Sequence, residues 1–142
     1  MKAIPKGKEI TGAITKHMDR RFLSSLDLLG KGEVVLTIDR VEFHEKLEFE
    51  NGRSEDNVRL LYFQETPKPL AINVTNTNAV ARLTGTVIAK EWHGEKIVLN
   101  VQKVRGKGGK IVDGVRVIGI ERDGNKTYNE SAADNINKKL RG

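Results

Sequence analysis

The spacing of apolar residues changes period along the chain. Met18, Phe22, Leu23, Leu26 and Leu29 recur at the steps of one helical face, and Gly30 and Gly32 then supply a stop. Thr15 stands where an N-cap side chain belongs, so the pattern predicts an amphipathic helix over 15–29. Ahead of it, residues 1–14, with Pro5, Gly7, Gly12 and scattered lysines, read as a flexible arm. From residue 33 the period drops to two. In EVVLTIDRVEF (33–43) the apolar set is Val34, Leu36 and Ile38, then changes parity to Val41 and Phe43. Such a one-residue slip inside a long strand is what a β-bulge produces, and a bulge bends the strand. KLEFE (46–50), VRLLYFQE (58–65) and the short PLAIN (69–73) follow, with the turn-rich NGRSEDN between the first two.

TNTNAVARLTG (75–85) predicts a short helix capped by Thr75, Asn76 or Thr77, burying Val80, Ala81 and Leu83 and ended by Gly85. Strand character returns in EKIVLNVQKV (95–104) and KIVDGVRVIGI (110–120). Beyond Arg122 the chain is polar, with a weak helical pattern near 131–140. The expected organisation is an arm and helix at 1–32, a β domain at 33–120 and a polar, partly mobile tail at 121–142. Five strands with a helix between the third and fourth is the element order of the OB-fold. The fold class expected is therefore mainly β: an OB-like five-stranded Greek-key barrel with an N-terminal helix.

KPLAINVTNTNAVARLTG, then WHGEKIVL, then a glycine-and-lysine hairpin leading to VDGVRV, resembles small phage-encoded single-stranded DNA-binding proteins of replication and recombination modules. The resemblance covers about residues 33–120. It implies an OB-type fold, single-stranded DNA as the partner and a host-cytoplasmic setting, and little sequence specificity is expected because nothing in the chain resembles a major-groove recognition helix.

Charge sharpens that expectation. The net charge of +6 is unevenly spread: +4 over 1–32, −5 over 33–65, +6 over 66–120 and +1 over 121–142. A polarised chain of this kind suits a polyanionic partner. Within the basic block, VRGKGGKIVDGVRV (104–117) joins two strands through a loop carrying Arg105, Lys107 and Lys110, with Lys103 and Arg116 at the strand ends. Such a loop is either a solvated hairpin tip or a phosphate clamp, and on an OB reading it is the hairpin between strands four and five, beside the binding face. Arg59, Lys90 and Lys96 complete the basic set.

Single strands are also held by aromatic stacking. Phe43, Phe49, Tyr62, Phe63 and Trp92 are the candidate platforms, each suited slightly better to core packing. Tyr62 and Phe63 are neighbours in a strand and so face opposite sides. Rings are scarce, seven in all, which counts against extensive stacking.

Other classes fit less well. Cys is absent, which excludes disulfides, zinc–thiolate sites and thiol nucleophiles. His17, His44 and His93 have no metal-ligand spacing, and the carboxylates Asp39, Glu42, Glu45, Glu48 and Glu50 suit a solvated strand face better than a Mg²⁺ site. GKGGK lacks the P-loop pattern and lies between strands. No enzyme and no cofactor is expected. No apolar run is of membrane length, and neither a secretory signal at the start nor, from KKLRG, an acidic protein-recruiting tip is expected. A protein-interaction module and an RNA binder are the alternatives, and homo-oligomerisation or contact with replication or recombination proteins is compatible with either.

Overall fold

A computed structural model describes residues 6–9, 11, 21–49 and 52–129. The parity switch after Ile38 is a bulge. β1 (Val34–Glu48) runs through it unbroken, and its register to β2 (Ser54–Phe63) shifts between Ile38 and Arg40. The bend also changes partners. Val34–Thr37 pair with β4 (Lys96–Arg105), whereas Ile38–Glu48 pair with β2.

Loops satisfy the backbone exposed at the bend. The Ile38 N–H donates to the Glu95 carbonyl at 2.8 Å, the Gly94 N–H to the Ile38 carbonyl at 2.8 Å, and His93 Nδ1 to the Asp39 carbonyl at 2.8 Å. Thr37 donates its N–H and its hydroxyl to the Glu65 carboxylate. Burial opposes that charge, but the Thr37 hydrogen bonds outweigh it and hold Glu65 below its ordinary value.

β3 (Leu70–Ile72), β5 (Ile111–Arg122) and β6 (Asn125–Tyr128) complete a six-stranded antiparallel sheet in the order β3-β2-β1-β4-β5-β6. α1 (Val74–Thr84) lies between β3 and β4, followed by a single 3-10 turn at Ala89–Trp92. Asn73, ahead of the cap positions expected, is the N-cap and accepts from the Asn76 N–H at 2.8 Å; Gly85 closes the helix at φ 80°. One face of the sheet and the apolar side of α1 share a core built on Leu36, Ile38, Leu61, Phe63, Val80, Trp92, Ile97, Leu99 and Val117. No described helix is long and apolar enough to cross a membrane.

Three expectations need correction. First, the five-stranded barrel does not close: among the described residues β3 and β5 share no ladder. β3 is only three residues long, and α1 begins two residues after it and occupies the seam. There Asn76, buried at 3% exposure, imitates a strand: its Nδ2 donates to the Val115 carbonyl at 2.9 Å, and its Oδ1 accepts from the Val117 N–H at 3.1 Å.

Second, the described part of the helix expected over 15–29 is a series of turns. Asp27 accepts from both the N–H and hydroxyl of Ser24 and binds Lys68 Nζ at 2.9 Å, while the Leu23 N–H donates to the Pro69 carbonyl at 2.9 Å. These bonds serve the burial of Leu23 and Leu28 without a helix. Residues 12–20 lie outside the described part.

Third, the sheet does not end at residue 120: β5 runs to Arg122 and β6 returns to Tyr128 within the stretch expected as tail. The helical pattern at 131–140 lies outside the described residues.

Candidate nucleic-acid interface

β4 outlasts its partner on one side. Its ladder to β1 ends at Val34↔Leu99, while its ladder to β5 continues to Arg105↔Ile111. β6 pairs β5 only from Gly119 onward, and Asn76 meets β5 at Val115 and Val117. From Asn100 to Arg116 the chain is thus a two-stranded ribbon whose base, at Val101 and Val115, packs on the core and whose tip extends past the ladders to β1 and β6.

Its tip is a five-residue loop, 106–110, in which Gly108 and Gly109 both take positive φ (74° and 77°). The loop is braced internally: the Gly106 N–H donates to the Lys110 carbonyl at 2.7 Å and the Gly109 N–H to the Gly106 carbonyl at 3.2 Å. Those two N–H groups are therefore already engaged within the loop.

Between residues 103 and 116 the ribbon has five cations and one carboxylate. Lys103 is paired with Asp113 at 2.6 Å. Among the described residues Arg105, Lys110 and Arg116 have no ion-pair partner, in contrast with Arg40, Lys68, Arg122 and Lys126, each held by a carboxylate. Strand alternation divides the set. Lys103 and Arg105 share a face with Asp113 and Ile111, whereas Arg116 lies on the opposite face, across from Asn100.

The other cations stand elsewhere. Arg59 is on β2 across from Phe43, its guanidinium 6.0 Å from that ring centre. Lys90 is exposed in the turn before Trp92. Lys96, at the start of β4, sits across from Glu121 and close enough to Glu65 to help lower its pKa.

The rings separate more sharply. Trp92 is 3% exposed and donates Nε1 to the Thr86 carbonyl at 2.9 Å; Phe63 is 5% exposed. Both are core, and neither offers a face to a base. Phe49 packs on Phe22 with centroids 5.3 Å apart. Tyr62 is half-buried beneath the Arg40 guanidinium, 4.1 Å from its centroid, and Arg40 is itself anchored by Asp39 and Glu42. Phe43, at 56% exposure, is the open ring. Phe43, Phe49 and Tyr62 belong to the β1–β2 side of the bend, opposite along β1 to the ribbon.

Sequence reasoning overlooked a groove of about 610 Å³ beside Tyr62, lined by Phe22, His44, Leu47, Leu60 and Pro69 among others. His44 Nε2 is buried there, with Glu42 Oε1 3.5 Å away and no closer hydrogen-bond partner among the described residues. The alternation of Leu60 and Tyr62 in VRLLYF was its one visible signal. Among the described residues no cluster of His, Asp or Glu could hold a metal ion. Comparison of the chain with protein-family models, with curated proteins and with solved structures returns no match.

Proposed function

We propose that this chain binds single-stranded DNA with little sequence preference, the β4–β5 ribbon clamping phosphates in the course of DNA replication or recombination. The observation that carries the reading is the ribbon itself, on which Arg105, Lys110 and Arg116 have no ion-pair partner among the described residues. Unpaired cations need not break an internal ion pair before meeting a phosphate, and each phosphate neutralised releases counterions. Phe43, flanked by Arg59, and Tyr62 are the rings left for stacking. The strand order β3-β2-β1-β4-β5, with a helix after the third strand, supports an OB-type barrel left open between β3 and β5.

The test is fluorescence anisotropy of a labelled strand of ~30 thymidines, beside a matching duplex, at several salt concentrations. The single strand is expected to bind more tightly than the duplex. Replacing Arg105, Lys107 and Lys110 together by Ala should flatten the log–log salt slope by about 2, at roughly 0.7 for each phosphate that is no longer neutralised. Failure to bind at moderate salt would overturn the reading in favour of a protein partner, which the largely apolar groove beside Tyr62 would suit.

A further inference from the structure

The two faces of the ribbon differ in chemistry. One carries Lys103, Arg105, Asp113 and Ile111. The other is a smooth aliphatic strip at the tip that gives way to a polar cluster at the base.

Val104 and Val112 lie directly opposite each other, bordered by two glycines. A Cβ on Gly114 would stand 2.7 Å from Val104 Cγ2, and one on Gly106 would stand 3.1 Å from Val112 Cγ2. The missing side chains let the valines lie flat over the backbone, leaving an aliphatic floor. Behind it, Asn100 and Arg116 are cross-strand partners, and Gln102 donates Nε2 to Asn100 Oδ1 at 3.0 Å. All three are half-buried, and Arg116 has no carboxylate partner among the described residues.

A half-buried arginine across from an asparagine that a glutamine bonds, next to a flat apolar surface, is chemistry suited to a nucleobase. The floor can take a base face, and the planar fork of an arginine matches the O6 and N7 acceptors of guanine, as the amides match adenine. In a single strand those edges are free. We infer that this face reads base edges, Arg116 selecting guanine, so that a modest base preference overlies the phosphate clamp. The inference rests on the single-strand reading and names the residues that would give it selectivity.

The experiment compares three labelled strands of ~30 nucleotides in the same anisotropy assay: thymine alone, alternating guanine and thymine, and alternating cytosine and thymine. The guanine-containing strand is expected to bind about tenfold more tightly than the other two. Arg116→Lys keeps the charge but loses the fork, and should erase that preference, read as the ratio of guanine-strand to thymine-strand affinity. Gln102→Ala, which keeps Arg116 intact, should narrow the preference, and a thermal melt of each variant reports that it is folded. Equal binding of all three strands, or a preference that survives Arg116→Lys, overturns this inference and leaves the phosphate clamp standing. Absence of binding to any strand overturns both.

Discussion

The side chain of Asn76 stands in for a missing strand pairing, and its removal is a direct test of how the fold is held at its seam. Asn76→Ala takes away the donor to the Val115 carbonyl and the acceptor for the Val117 N–H. Val117 is 2% exposed, so its N–H would lose its partner where water does not readily replace it, at a cost of about 1–3 kcal/mol. The Val115 carbonyl, in a half-buried residue, adds about 0.5–1 kcal/mol, because water can reach part of it. Together these predict a loss of roughly 2–4 kcal/mol and a fall in Tm of about 10 °C. Urea denaturation followed by Trp92 emission is the assay, since the chain has a single tryptophan and it is buried. The midpoint should drop at constant slope. Asn76→Asp should be no milder at neutral pH: it keeps an acceptor for Val117 but turns a carboxylate toward the Val115 carbonyl. Hydrogen exchange gives the local readout, with the Val117 amide protected in the wild type and released in the alanine variant. A loss under ~1 kcal/mol, or unchanged exchange at Val117, would refute the view that this amide holds β5 to α1.

Gly119→Ala would place a methyl 2.7 Å from the Thr127 carbonyl, a backbone atom that moves only with β6; exchange at the 125–128 amides should quicken, with a stability loss of about 1–3 kcal/mol. Trp92→Phe should cost about 1–2 kcal/mol through the lost bond to Thr86 and leave strand affinity unchanged, a reduced affinity showing instead that the indole reaches the ligand. Acid should destabilise the fold through three carboxyls held below their ordinary values. In Asp27 burial opposes the charge but Lys68 and Ser24 prevail, in Glu33 the hydroxyl of Tyr128 and then Lys126 favour it, and in Glu65 burial is again outweighed by Thr37. Because the folded values lie below the unfolded ones, their stabilisation is complete above the ordinary values of 3.8 to 4.5 and is lost as pH falls through the folded values. Urea midpoints measured from pH 7 downward should decline below that range, and Asp27→Asn should shallow the decline.

What the sequence revealed was local. The change of parity between Ile38 and Val41 is written in side-chain alternation, so the bend of β1 was legible, as were α1 and the ribbon tip. Periodicity states which side of a segment is buried, but not what its backbone will bond. Phe22, Leu23, Leu26 and Leu29 have helical spacing, yet the Leu23 N–H is taken by Pro69, far along the chain, and Asp27 binds Lys68. Asn76 looked like a cap because caps are the commonest use of an asparagine there; its bond to β5, 39 residues away, leaves no local trace. Of the proposed site, the cations were readable as a cluster, but their division between two faces depended on the register of β4 with β5. Trp92, set between charges in KEWHGEK, gave no sign that the chain folds its ring inward.

Between Val101 and Gly114 the two edges of the ribbon carry no further strand among the described residues, and open β edges invite pairing with other chains. Here Lys103 and Arg105 stand on the β4 edge, so two ribbons meeting there side by side would bring these cations of one molecule against those of the other. Like charges so placed repel, and the cations act as a guard against self-adhesion. An alanine-substituted ribbon should consequently lose colloidal stability even while it keeps its fold, and light scattering before each titration would separate that loss from a loss of affinity.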